Sequence, residues 1–571
     1  MGQEGLGATL TDKPLYWAQF ARMDMSDEEL LEDGECLALL TLDPDNKPFK
    51  VKQSLVYTYL YPEQETKLRT GVNVTRVDTR ESLGAVEIVT DARRVLLKRK
   101  ASRDPLPNAM CIGPAGPINS DVIKEALFRY ADSQVGGTGK YRAVTSVLRR
   151  EIPRIKGVTA GAPLLGDGHV SVDAVVDVVL RLDESHLFIQ GPPGAGKTYT
   201  GSHLIVSLLQ AGKRVGVTSN SHKPIHNLLN AVVDVAENRG FKLHGVKKSS
   251  AGNPESEFEG GGIVNLSDAE SAFASGASLI AGTAWLFSDA MADQMFDYLF
   301  VDEAGQVSLA NLAAMGTSAR NIILLGDQMQ LAQPIQGTHP GHSGESSLDY
   351  LLGALPTIPR DRGVFLETTW RMHPNVCSFI SDAVYDARLE PESSNVRQVL
   401  VLNDKAHSLL QPNGIVFAPV EHSGCSQQSP EEAELIRALY VNALTQRYVD
   451  RHGAEHPMTP DNILVVAPYN MQVNRLKETL PVGARVGTVD KFQGQEAGVV
   501  LISMTTSSEA ELPRNIEFLY SKNRLNVAIS RAKSLAILIA NPALTSIRCT
   551  TPQQMALVNT LCWVAAIGKP L

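Results

Sequence analysis

The chain predicts an α/β protein built on parallel sheet, with a small antiparallel barrel ahead of it. Three observations carry that reading. In mid-chain, Gly191-Pro192-Pro193-Gly194-Ala195-Gly196-Lys197-Thr198 follows the apolar run 187–190 and precedes the helix-like stretch 199–209. Strand, glycine-rich loop and helix in that order form the unit of a parallel sheet with crossover helices. Further on, the apolar runs 298–301 and 321–325 each end in polar residues, as strands do at the ligand edge of such a sheet. The third observation is at the start of the chain. Segments 50–61, 85–89 and 95–100 read as short strands between polar turns, the pattern of a small barrel, and 121–133 and 141–150 then read as helices.

Each motif has residue types suited to one chemistry. The glycines of the central loop let backbone N–H groups converge on a phosphate, and the helix N-terminus adds its positive end. Lys197 is placed for the β and γ oxygens of a nucleotide, and the Thr198 hydroxyl suits Mg²⁺. In Tyr298-Leu299-Phe300-Val301-Asp302-Glu303, a parallel sheet would set the paired carboxylates beside the loop strand, with Asp302 on Mg²⁺ and Glu303 polarising water as general base. Two adjacent acids can also be simply solvated, and it is the upstream loop that favours the catalytic reading. Gln330, after the strand 321–325, is placed to touch a γ-phosphate and report its loss.

Three later blocks complete the set. They are Thr369-Trp370-Arg371-Met372-His373-Pro374, Val486-Gly487-Thr488-Val489-Asp490-Lys491-Phe492-Gln493-Gly494-Gln495-Glu496, and Arg524-Leu525-Asn526-Val527-Ala528-Ile529-Ser530-Arg531. In this order the blocks resemble superfamily 1 helicases, in the branch holding the nonsense-mediated-decay RNA helicase and the replication nuclease-helicase. Phrases such as Leu187-Phe188-Ile189-Gln190-Gly191 and Val217-Thr218-Ser219-Asn220-Ser221-His222-Lys223 further resemble the motor portion of bacterial RecB-like nuclease-helicase fusions.

The resemblance implies two tandem RecA-like domains with ATP and Mg²⁺ between them. The expected layout is an N-terminal segment at 1–30, a barrel at 31–105, a helical stalk at 106–165, and RecA-like domains at 166–355 and 356–571. It implies that Arg371 and Arg531 come from the second domain to neutralise the γ-phosphate, as arginine fingers worth about 10³- to 10⁵-fold in rate. It also assigns Tyr199, Trp370, Gly494 and Glu496 to the nucleotide pocket, and Thr218, Ser219, Asn220, Thr283 and Thr488 to the sugar-phosphate backbone of a single strand. Small hydroxyls and amides bind phosphates without reading bases, as a translocating motor requires. The activity implied is 5′-to-3′ helicase action by a monomer, on DNA with RNA as the alternative; a nuclease domain or nuclease partner stays open, no nuclease core being visible in the sequence. The same motifs would serve a nucleic-acid-stimulated ATPase clamp that does not unwind.

Composition sets limits. A net charge of −9 and a pI near 5.9 argue against a generally basic nucleic-acid coat, though not against a local basic channel. The six cysteines are scattered without a C-x-x-C pair, which indicates neither a zinc module nor a disulfide framework and fits a reduced, cytoplasmic compartment. The sequence has no run of the ~18 apolar residues that a membrane span needs. Residues 249–262, rich in Ser, Glu and Gly, read as a mobile loop, and Lys98, Arg99, Lys100 and Arg103 as a solvated strand end or a phosphate contact. The chain departs from its relatives at 169–180, which lacks the glutamine that reads the adenine edge in many of them. With Trp370 left to stack on the base, GTP should support hydrolysis within about tenfold of ATP, since one edge contact is worth roughly 1.4 kcal/mol. Strict ATP selectivity in a steady-state assay would show that another residue reads the base.

Overall fold

In this computed structural model the described residues are 18–51, 54–100, 104–115, 120–166, 170–250, 253–331, 340–492, 494–513 and 516–568. Residues 1–17, Arg103, His169 and Gln493 lie outside them, as does part of the 249–262 segment.

The barrel comprises β1 (Leu37–Leu42), β2 (Phe49–Val51), β3 (Ser54–Leu60), β4 (Asn73–Arg76), β5 (Ser82–Val89), β6 (Arg94–Lys100) and β7 (Ala109–Pro114). They run antiparallel in the order β1-β7-β4-β5-β6-β3-β2, and β1 also pairs with β3, so six strands close and β2 hangs outside as the hairpin partner of β3. Closure removes the exposed edges that a small open sheet would leave. Leu37, Tyr59, Val74, Val86, Val95, Leu97 and Ile112 fill the interior. The stretch expected as one strand at 50–61 is two strands, and β1, β4 and β7 are additional. The sequence conceals them because β1, Leu-Ala-Leu-Leu-Thr-Leu, lacks alternation and β4 is only four residues long.

The stalk helices are Asp121–Val135 and Arg142–Leu148. Arg129 donates to Ser288 O at 2.7 Å, and Tyr350 donates to Leu148 O at 2.7 Å, which fixes the stalk to the first large domain.

That domain is an eight-stranded sheet of β8 (His186–Gln190), β9 (Val215–Thr218), β10 (Gly245–Lys248), β11 (Ile263–Leu266), β12 (Leu279–Ala281), β13 (Phe296–Val301), β14 (Ala319–Gly326) and β15 (Gly363–Phe365). The order is β11-β10-β12-β9-β13-β14-β8-β15, and every pairing is parallel. The carboxylate strand β13 is therefore not beside the loop strand β8, as the sequence suggested. β14 lies between them, because it can pair with both in register while leaving both loops at one end. β15, beyond the expected boundary at 355, pairs with β8 in this sheet.

The second large domain has five parallel strands in the order Gly414–Pro419, Ala532–Ala540, Ala497–Ser503, Ile463–Ala467 and Arg485–Thr488. Its central strands are mostly apolar, Ile463–Ala467 throughout and Ala497–Ser503 up to its last residue, as expected of strands covered on both faces. The two sheets make this an α/β protein of tandem RecA-like domains.

Polar groups cross the seam between the domains. In the helix Lys522–Ile529, Asn523 and Asn526 are three apart and so share a face. Asn523 Nδ2 donates to Gln328 O at 2.9 Å and Gln330 O at 2.6 Å, and Asn526 Nδ2 donates to Met329 O at 2.8 Å. Tyr385, fully buried in the second domain, donates its hydroxyl to Asp327 Oδ2 at 2.6 Å. Burial pushes that phenol up, so it stays a donor. Tyr385→Phe takes a donor from a buried carboxylate and should cost about 1–3 kcal/mol in a denaturant titration. A loss below about 0.5 kcal/mol, the range of surface substitutions, would contradict the importance of this bond.

Candidate nucleotide site and nucleic-acid face

The phosphate loop leaves β8 with Gly191 N donating to Gly326 O at 2.9 Å, which ties it to the end of β14. Gly194 and Gly196 have φ of 74° and 82°, the left-handed region that side chains avoid. Pro192, Pro193 and Ala195 are buried beneath the loop, while Thr198 and Tyr199 are exposed at the first turn of the helix Lys197–Gln210. Lys197 Nζ donates to Gly191 O at 2.6 Å, a bond for which a phosphate oxygen would compete. The Tyr199 ring lies 4.1 Å from His203 and is more than half exposed.

Residues 369–371 lie directly on this loop. Thr369 Oγ1 donates to Pro193 O at 3.0 Å, and Trp370 N donates to Gly194 O at 2.9 Å. A Cβ on Gly194 would come within 2.5 Å of Arg371 Cβ, so glycine is required there for fit as well as for φ. Trp370 is 53% exposed beside the loop and so is not a core residue.

Two second-domain arginines are buried at the cleft. Arg371 Nε donates to Glu496 Oε2 at 2.7 Å and its Nη1 to Ser530 O at 3.1 Å. Burial pushes the Glu496 carboxyl up, but the Arg371 and Lys533 charges outweigh it and hold the group down at about 2. Arg531 is 3% exposed, and among the described residues its guanidinium donates one hydrogen bond, Nη1 to Gln495 O at 3.2 Å. Its Nε and Nη2 are buried with no hydrogen-bond partner among the described residues. Burial, then the like charge of Arg371, pulls Arg531 down to about 9, while Glu303 acts in the opposite sense. A guanidinium with two idle donors in a dry cleft suits an anion such as a phosphate. Gly494, at φ 81°, precedes this segment.

Asp302 is buried at the end of β13, with Oδ1 accepting from Glu303 N at 2.9 Å. Burial, then the Glu303 charge, pushes its carboxyl up, the environment in which an approaching cation is favoured. Among the described residues no cluster of three or more acidic, His or Cys side chains could hold a metal. A Mg²⁺ here would need nucleotide oxygens besides Thr198 and Asp302. Glu303, half-buried, takes φ 51° and so turns its side chain off the strand direction. Gln330 does not stand free as expected. It is buried, donates to Asp327 Oδ2 at 2.9 Å, and its carbonyl is held by Asn523.

The residues expected along a nucleic-acid strand are unevenly exposed. Thr218 and Ser219 are buried, because β9 lies mid-sheet between β12 and β13, and Asn220 is exposed with its amide on Gln306 O. Thr283 is half-buried and caps the short helix Ala284–Ser288. Thr488 is buried under the barrel, and its hydroxyl donates to Glu65 Oε1 at 2.6 Å. Sequence reasoning missed Tyr385, Asn523 and Glu65. Only Asn523 left a signal, its i,i+3 spacing from Asn526.

The fold and site define a P-loop NTPase with two RecA-like domains of helicase type. Two AAA domain families match the chain, at residues 173–340 and 346–543. The chain is 25% identical over 406 residues to DNA polymerase alpha-associated DNA helicase A of Schizosaccharomyces pombe, covering 60% of this chain and 59% of that protein. It is 24% identical over 418 residues to DNA replication ATP-dependent helicase/nuclease dna2 of the same yeast, covering 68% of this chain and 28% of that one. ATP-dependent helicase NAM7 of Saccharomyces cerevisiae is 25% identical over 402 residues, covering 62% and 40%. The chain thus spans a quarter to three fifths of these superfamily 1 helicases.

Replacing buried ionic groups with well-packed apolar side chains of similar volume is often neutral or stabilising by about 1–4 kcal/mol, and Arg531 has no carboxylate partner to leave behind among the described residues. Arg531→Met should therefore melt no lower than the parent without nucleotide, yet gain less stability on adding Mg-ATP. A large loss of stability without nucleotide would make Arg531 a structural residue.

Proposed function

We propose that the chain is an ATP-dependent nucleic-acid helicase or translocase that moves 5′ to 3′ on single-stranded DNA. The observation that carries the reading is the pair of second-domain arginines buried at the cleft, Arg371 packed on the first domain's glycine-rich loop and Arg531 beside it within reach of the Glu303 charge. Lys197 and the loop amides hold the β and γ phosphates. Thr198 and Asp302 would hold a Mg²⁺ ion, which would supply charge neutralisation for the phosphates. Glu303 orients and deprotonates the attacking water, while Arg371 and Arg531 stabilise charge on the transferring γ-phosphate from across the cleft. Trp370 and Tyr199 flank the base. Because hydrolysis removes the anion that Arg531 requires, the domains part and one of them advances along the strand. Asn220, Thr283 and Thr488 hold the backbone.

DNA is the preferred strand because two of the relatives are named DNA helicases, and because the motifs resemble motors linked to RecB-like nucleases. Glu303→Gln should keep nucleotide binding and lose about 10²- to 10⁴-fold in turnover, and near-normal turnover would remove Glu303 from the role of base. In the parent, single-stranded DNA should raise ATPase activity, and a duplex with a 5′ tail should unwind in preference to one with a 3′ tail. Preference for a 3′ tail would overturn the polarity. Strand-stimulated ATPase with no unwinding of matched DNA or RNA duplexes would favour a clamp.

A further inference from the structure

The connection between β3 and β4 crosses the face on which a strand would lie. Tyr61 and Leu68 anchor its ends in the barrel core. Between them Gln64 turns back to the barrel, its Oε1 accepting from Ala38 N at 2.8 Å and its Nε2 donating to Ala38 O at 2.9 Å. Its two neighbours point the other way, into the second large domain. Glu65 Oε1 accepts from Thr488 Oγ1 at 2.6 Å, and Glu63 Oε1 lies 2.6 Å from Lys477 Nζ and 3.6 Å from Lys491 Nζ. At its far end Arg69 reaches the first domain, 3.0 Å from Glu255, through an exposed pair that holds weakly. One carboxylate on a threonine hydroxyl and another bridging two lysines reproduce the contacts that two backbone phosphates would make.

We propose that residues 61–70 form a strap whose two carboxylates, Glu63 and Glu65, occupy the backbone-phosphate positions of the second domain, so that a single strand must displace it to bind. The inference rests on the reading of Thr488 as a backbone contact. Because Gln64, Tyr61 and Leu68 fasten the strap to the barrel, displacement moves the barrel as a body. It also breaks the contact of Asn470 Nδ2 with Leu31 O, 3.0 Å, through which the helix Asp27–Glu32 docks on the same domain. Once Glu63 leaves, Lys477 and Lys491 face the phosphates.

The test is the affinity of the whole chain for a fluorescein-labelled oligothymidylate, read by anisotropy over a salt series. Glu65→Gln keeps an acceptor for Thr488 and removes only the charge. It should bind about three- to tenfold tighter, and Glu63→Gln/Glu65→Gln tighter still, with a salt slope steeper by about one to two because two lysines now release counterions. Adding Thr488→Val to the double variant should reverse part of the gain. Unchanged or weaker binding by both glutamine variants, with Thr488→Val weakening the double variant, would overturn the strap and leave Thr488 as a strand contact. If Thr488→Val changes affinity in neither background, the reading of Thr488 fails and the strap with it. Thermal melts of each variant, expected to match the parent, separate these outcomes from misfolding.

Discussion

Burial of two like-charged guanidinium groups at the cleft, one of them packed on the glycine-rich loop, is the constraint on which the rest of the molecule turns. Arg371 has Glu496 to balance it, and Arg531 has one backbone carbonyl and two idle donors. Taking a charge out of water costs several kcal/mol unless partners replace the lost hydration. The cleft is therefore arranged to favour an anion, and Arg371, whose charge acts on Arg531, is packed on the glycine-rich loop. The seam tolerates the charges because the surrounding contacts hold it together. Apolar side chains of both domains form one continuous core, and Tyr385, Asn523 and Asn526 fasten the loop after β14 to the helix that leads to Arg531.

The same contacts connect the cleft to the opposite face. Asp302 N donates to Thr218 O at 2.9 Å, and Asn220 bonds the carbonyl of Gln306, three residues beyond Glu303. A shift of the carboxylate loop is thus transmitted through backbone bonds to Asn220. On the second domain, Arg485–Thr488 ends in the hydroxyl that Glu65 engages, and its neighbour Ile463–Ala467 leads toward the helix bearing Lys477.

Local chemistry was legible in the sequence and long-range pairing was not. The phosphate loop, the Asp302-Glu303 strand end and the arginine blocks each declare themselves within about ten residues, because the chemistry needs those types at that spacing. Sheet order does not follow from chain order, so the insertion of β14 between β8 and β13 could not be read. Burial of Thr218 and Ser219 follows from that order and was hidden with it. Gln330 was placed at the correct strand end, but the carboxylate three residues earlier, Asp327, captures its amide. Glu65 and Thr488 meet across 423 positions of sequence, a distance over which no periodicity or motif gives warning.

The central claim is that Arg531 responds to charge developing on the γ-phosphate and not to nucleotide in general. It is tested most directly by comparing dissociation of a fluorescent ADP with that of the same ADP bound with Mg²⁺ and aluminium fluoride, a mimic of the transferring phosphoryl group. The account predicts that Arg531→Met binds ADP as the parent does and loses most of the extra retention that aluminium fluoride confers. Equal retention in the two proteins would contradict it.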